Sequence, residues 1–165
     1  IREVMREIKL ETTIRVKEIS ELDEQESQLM QAAIEVARHA YARYSHFHVG
    51  AAALLSNGKI ITGSNQENAA YPSGICAERV TLFYAGSQYP EATVDTLAIV
   101  SMIDGQVNPD ITPCGACRQV LLETEQRGNK PMRILLCGKE EVRIISSAKE
   151  LLPLCFTSDT LPDNP

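Results

Sequence analysis

Three cysteines and one carboxylate, set in Cys76-Ala77-Glu78-Arg79 and in Pro113-Cys114-Gly115-Ala116-Cys117-Arg118-Gln119, constrain this chain more than any other feature. Cys114 and Cys117 are three positions apart, so on the first turn of a helix their side chains are neighbours. Cys76 lies far upstream and joins them only if the fold brings two helix starts together. Three thiolates suit zinc, and three protein ligands leave its fourth tetrahedral position open, the feature that separates a catalytic from a closed structural site. A closed site, with Cys137 or a histidine as fourth ligand, is the plain alternative. Glu78 is two positions from Cys76 and does not share its helix face. It therefore reads as a proton-handling neighbour of the open position rather than as a ligand. Three thiolates leave a divalent ion and its ligands net negative. Arg79 and Arg118 stand where each could donate to a thiolate and offset that charge.

Around these motifs the chain alternates strands and helices. Asp23 followed by Glu26 is a helix-start signature, and Met30, Ala33, Ile34, Ala37, Ala40, Tyr41 and Tyr44 continue at helical spacing, predicting an amphipathic helix to about Arg43. Phe47 to Leu55 is short and almost wholly apolar, as in a strand buried on both faces. Asn57-Gly58 supplies a hairpin turn tolerant of positive φ, and Lys59 to Gly63 returns as a second strand. A loop leads into the Cys76 helix, which the pattern halts near Gly86. Thr96 to Met102 is a strand, and Pro113-Cys114 opens a helix to about Gln126 with Val120, Leu121 and Leu122 inward. Met132 to Cys137 and Val142 to Ile145 complete the strands. A short helix near Ala148 leads to Leu152-Pro153-Leu154-Cys155-Phe156. The expected fold is a three-layer α-β-α sandwich on a mixed sheet of about five strands.

Residues 1–22 read as an N-terminal elaboration, 23–157 as the functional domain and 158–165 as a polar tail. Ile1, Val4, Met5 and Ile8 have helical spacing, whereas Ile14 and Val16 alternate with Arg15 and Lys17. A short helix, an edge strand and a partly ordered arm all remain open there.

With 44% hydrophobic and 23% charged residues the composition is that of an ordinary globular domain. A formal net charge of −6 argues against gripping a nucleic-acid backbone and favours a small, weakly charged substrate. No apolar run is long enough to span a bilayer. The charged Ile1–Arg6 stretch is unlike a signal-peptide core. Five cysteines, an odd number, do not form a secreted disulfide framework, so a reducing, cytoplasmic location is expected. Cys137 and Cys155 read as small buried hydrophobes, and His46 and His48 as packing or solvated residues.

The two motifs, in this order, resemble the cytidine deaminase family in its small three-cysteine form. The likeness extends to Tyr44-Ser45-His46-Phe47-His48-Val49-Gly50-Ala51-Ala52, to Asn65-Gln66-Glu67-Asn68-Ala69-Ala70-Tyr71-Pro72, and to Leu151-Leu152-Pro153 with Phe156. Val80, where the family usually has Thr, and His48, where Pro is common, depart from its pattern. The resemblance implies one zinc per subunit on Cys76, Cys114 and Cys117, with Glu78 as proton shuttle. It further implies Asn65 and Glu67 on the ribose hydroxyls, Phe47 stacked on the pyrimidine and Ala77 beside the substrate. A homotetramer with shared active sites is also implied, in which Ala69, Tyr71 and Phe156 serve a neighbour's pocket. The expected activity is hydrolytic deamination of cytidine and deoxycytidine. A deaminase for a modified cytosine nucleoside or nucleoside antibiotic, and a non-catalytic zinc-binding module, are the alternatives; a polynucleotide-editing deaminase is disfavoured by the acidic charge.

Overall fold

A computed structural model describes residues 5–162. Ile1 and Val4 lie outside the described residues. The sheet contains β1 (Arg15–Glu18), β2 (His48–Leu55), β3 (Ile60–Ser64), β4 (Val94–Ile103), β5 (Gln106–Val107), β6 (Arg133–Cys137) and β7 (Glu141–Ile145). Their spatial order is β1-β7-β6-β4-β2-β3, with β5 added to β4. β4 and β6 run parallel and every other pair is antiparallel. The three main helices are α1 (Glu24–Ala37), α2 (Ala77–Gln88) and α3 (Gly115–Gly128).

Side-chain alternation assigns the layers. Ala52, Ala98, Val100 and Leu135 face Leu29, Met30, Ala33 and Ala37 of α1. Their odd-even partners Ala51, Ala53, Leu97, Ile99 and Ile134 face Ala77, Leu82 and Ala85 of α2 and Leu121 of α3. The three-layer sandwich is therefore as expected. The five expected strands are five of its strands, and the sheet exceeds five because β1 and β5 join it. Neither has an apolar run to announce it: β1 is mostly exposed and β5 has two residues. Among the open alternatives for the N-terminal region, the edge strand is realised at Arg15–Glu18, paired with β7. Met5 and Ile8 are exposed and outside regular structure.

Five local expectations are corrected. α1 stops at Ala37, and Tyr41 and Tyr44 are exposed rather than inward. Beyond Ala37 the backbone pairs elsewhere: Tyr41 N–H donates to Asn65 O (3.0 Å) and Glu67 N–H to Tyr41 O (2.8 Å). Gly86 does not end α2, which continues to Gln88; a Cβ there would lie 2.7 Å from the Arg127 guanidinium, so the glycine makes room for that side chain. In the β2–β3 hairpin only Gly58 has positive φ (+81°), while Asn57 accepts from Lys59 N–H. That is the glycine of a longer hairpin loop rather than an Asn-Gly pair that is left-handed at both positions. Val120 is only half-buried, packed against the core that encloses Leu121 and Leu122. Cys137 is buried as expected, but Cys155 is half-buried, in a segment that runs along the surface.

The Asp23–Glu26 capping box is formed: Glu26 N–H donates to Asp23 Oδ1 (2.8 Å) and Asp23 N–H to Glu26 Oε2 (3.0 Å). Glu26 does more than cap. It is 1% exposed and accepts from Lys17 of β1 (2.8 Å) and from Arg133 of β6, tying the edge strand, the helix and the central sheet to one carboxylate. Burial pushes its pKa up, but the hydrogen bonds from Lys17, Asp23 and Arg133 outweigh that and hold it at about 2. A depressed carboxylate contributes stability that is complete above its unfolded pKa near 4.5 and is lost as pH falls toward 2. Glu26→Gln should therefore cost roughly 3 kcal/mol at pH 7, and the penalty should shrink below pH 4. Urea unfolding of both proteins at pH 7 and pH 3 measures this; an equal difference at both values would contradict it.

Candidate functional site

Cys76 is the N-cap of α2 and Cys114 the N-cap of α3; Cys117 follows on the first turn of α3, buried. The fold places both helix starts side by side, and the three Sγ atoms lie within 4.8 Å of one another, with Cys76 and Cys114 3.9 Å apart. Zinc–thiolate bonds of about 2.3 Å in a tetrahedron set sulfur atoms roughly 3.8 Å apart, so this donor set fits a zinc ion. Both helix N-termini direct N–H groups and positive dipole ends at the cluster, favouring the thiolate form that zinc requires. The approach to Cys76 is fixed by paired backbone hydrogen bonds between Gln66 and Ile75, both 2.9 Å.

The Cys76 thiol is held well below its usual range. The hydrogen bond from Cys117 is the largest influence and, with those from Arg79 and Cys114, outweighs burial and lowers its pKa to about 5. Cys117, sharing that bond and more enclosed, is pushed up. Arg79 donates from Nη2 to Cys76 Sγ (3.5 Å), as its position in the motif predicts, and its own protonation is reinforced. Its Nε is buried and has no partner among the described residues. Arg118 is directed elsewhere: it donates from Nε to Pro113 O and from Nη1 to Leu151 O, both 2.9 Å. It grips the backbone before Cys114 instead of a sulfur, so a thiolate contact from Arg118 is not what the fold uses. Glu78 is 4% exposed, and burial, with the charge of Cys76, raises its pKa above the usual carboxylate range.

A cleft of about 530 Å³ opens beside Cys76 and Arg79, and Asn65, Glu67 and Tyr71 line it. Asn65 and Glu67 are already engaged with backbone. Asn65 accepts from Val49 N–H (2.7 Å) and donates to Phe47 O (2.9 Å). Glu67 Oε2 accepts from Tyr44 N–H (2.7 Å) and Ser45 N–H (3.3 Å). Tyr71 is exposed and meets Tyr44 edge-on, with ring centroids 6.2 Å apart. Of the residues expected on the substrate, four do not line the cleft, and Glu78, Cys114, Cys117 and Arg118 also lie outside its lining. Phe47 packs half-buried against the core, and Ala77 is fully buried on the inner face of α2. Ala69 is exposed, and Phe156 is exposed with its carbonyl held by Gln119 (3.0 Å). Tyr44, Ser45, Gln66 and Ile75 do line it, without having been singled out. Three of these sit inside the stretches that carry the family likeness, which was the available signal.

If these three sulfurs hold the metal, purified protein should contain one zinc per chain by elemental analysis. Cys76→Ser, Cys114→Ser and Cys117→Ser should each lower that well below one, whereas Cys137→Ser and Cys155→Ser should not. Zinc retained in full by Cys117→Ser would contradict the assignment.

Residues 23–128 match the family described as the cytidine and deoxycytidylate deaminase zinc-binding region. The chain is 40% identical over 135 residues to the cytidine deaminase of Halalkalibacterium halodurans, covering 82% of this chain and 96% of the relative. Crystal structures of two cytidine deaminases superpose on it. That from Burkholderia pseudomallei has a TM-score of 0.67 at 38% identity, covering 79% of this chain and 98% of the other. That from Mycobacterium tuberculosis has a TM-score of 0.65 at 35% identity, covering 82% and 99%. With a three-sulfur cluster that fits zinc inside the matched region, the chain belongs to the cytidine and deoxycytidylate deaminase family.

Proposed function

We propose that this protein deaminates cytidine and deoxycytidine hydrolytically to uridine and deoxyuridine, releasing ammonia, as a cytoplasmic enzyme of pyrimidine salvage. The observation that carries the reading is Glu78, a buried carboxylate on the same helix start as Cys76, beside three converging sulfurs. Cys76, Cys114 and Cys117 would hold the zinc, which when bound supplies a Lewis acid able to lower the pKa of water to about 7. Glu78 takes a proton from the attacking water and delivers it to the ring nitrogen beside the reacting carbon. It then takes the second proton from the hydroxyl now on that carbon and passes it to the amine, as the carbon–nitrogen bond breaks, the carbonyl forms and ammonia leaves. A carboxyl whose pKa is raised by burial is suited to both directions of transfer. Arg79 offsets thiolate charge, and Arg118 keeps Pro113, and with it Cys114, in place.

Asn65 and Glu67 bind the sugar hydroxyls. Each is anchored by backbone hydrogen bonds and keeps hydrogen-bonding capacity that the described residues do not use, so little orientation remains to be fixed when the nucleoside arrives. By the family likeness Phe47 stacks on the pyrimidine with Ala77 behind it, although both lie outside the lining of the cleft that one chain forms. The functional unit is 23–157; residues 1–22 add the edge strand and 158–165 form the tail. Active sites are completed between subunits of a homotetramer, a reading supported by exposed Tyr71 (77%) and Phe156 (60%), large rings that one chain leaves in water.

Glu78→Gln should retain its zinc and lose roughly 10²–10⁴-fold in kcat, read as ammonia release from cytidine; turnover near the wild-type rate would remove Glu78 from the mechanism. Light scattering should return about four times the 18.2 kDa chain mass. A fully active monomer would end the shared-site reading.

A further inference from the structure

Ser45 is not used by the reading above, yet its hydroxyl has both its capacities engaged. It donates to Glu67 Oε1 and accepts from Phe47 N–H (3.0 Å). Ser45 N–H and Tyr44 N–H approach the other oxygen, Oε2. Glu67 is thus held on both oxygens by one turn, in which His46 adopts φ +56° and donates through its N–H to Ala42 O (2.9 Å). Among the residues lining the cleft, Glu67 is the sole carboxylate, and Cys76 and Arg79 mark where the cleft meets the metal-binding sulfurs. A nucleoside with its amino-bearing carbon at those sulfurs offers its sugar hydroxyls as the donors left for another acceptor. An ionised carboxylate accepts only, and the Ser45 and Tyr44 hydrogen bonds keep Glu67 ionised.

We propose that Ser45 is a positioning residue for sugar recognition: its hydroxyl orients Glu67 toward the secondary hydroxyls of the nucleoside and links that carboxylate to the backbone of Phe47. This rests on the nucleoside deaminase reading and adds to it a residue that discriminates sugars without touching them. A merely structural serine, capping the turn, would weaken every nucleoside alike. A positioning serine weakens only those nucleosides that present the hydroxyls Glu67 receives.

The test is steady-state deamination of cytidine and of 2′,3′-dideoxycytidine by zinc-analysed wild type, Ser45→Ala, Ser45→Thr, Glu67→Ala and the Ser45→Ala/Glu67→Ala double variant. Where the analogue turns over too slowly, its inhibition constant against cytidine replaces KM. Ser45→Ala should raise KM for cytidine roughly tenfold, with kcat changed less than about threefold, and should move the analogue's constant less than about twofold. Ser45→Thr, which keeps the hydroxyl, should restore the cytidine KM. In the Glu67→Ala background Ser45→Ala should add almost nothing. Ser45→Gly replaces Ser45→Ala should the latter not fold. Equal losses on both nucleosides, no loss on cytidine, or full additivity with Glu67→Ala would each overturn the proposal. Turnover of cytidine by the wild type separates the failures: without it the deaminase reading falls and this inference with it, and with it only Ser45 is at issue.

Discussion

Everything at the candidate site depends on two helix N-termini being held within one metal's reach. Cysteine side chains are short, so three sulfurs within 4.8 Å leave the starts of α2 and α3 little freedom to shift. The sheet enforces this. β4 leads through α3 to the parallel strand β6, and α2 enters β4 from the other side. Both helices therefore pack on the same face, against Leu97, Ile99 and their neighbours. A parallel crossover places the helix start beyond the carboxyl end of the strand before it, the usual place for ligands in such folds.

Hydrogen bonds then lock the loops between these elements. Gln66 and Ile75 pair just before Cys76, and Arg118 grips Pro113 just before Cys114. The far end of α3 is pinned by Glu125, which accepts from Met132 N–H and Ala148 N–H at 2.8 and 2.7 Å. Arg118 and Glu125 are seven positions apart, two turns on the same helix face, and both reach the segment around Ala148–Leu151. On the opposite face of the sheet, α1 lies so close to β2 that a Cβ on Gly50 would stand 2.0 Å from Ala33 O. Strand and helix backbones meet there with no side chain between them.

Legibility in the sequence followed how local each cause was. β2, β4 and β6 were readable because burial on both faces writes near-continuous apolar runs such as Val49–Leu55, and β3 and β7 because short turns return the chain beside β2 and β6. The α1 capping box was readable because its two partners are three residues apart. The metal cluster was readable because zinc chemistry demands these residue types, and Cys114 and Cys117 sit on one turn. β1 was one of several readings, since four exposed residues carry little pattern until β7 offers an edge. Tyr41 and Tyr44 kept the helical spacing but left the helix, because pairing with Asn65 and Glu67 outcompetes propagation beyond Ala37. Arg118 misled for the same reason: its partner Leu151 is remote in the chain.

Residue chemistry and short-range periodicity were thus determined by the sequence alone: an α/β sandwich, three cysteines suited to a metal, a carboxylate two positions from one of them, and the family to which these belong. The tertiary structure decided which side chains share a space. It joined Cys76 to the other two sulfurs, enclosed Glu78, engaged Asn65 and Glu67 with the Tyr44–Val49 backbone, and put Lys17 and Arg133 on Glu26. The physical reason is that composition and spacing encode what a residue can do within a turn or two of backbone. Distances across the sheet, burial and the pKa shifts that burial causes arise only when segments far apart in the chain exclude water together.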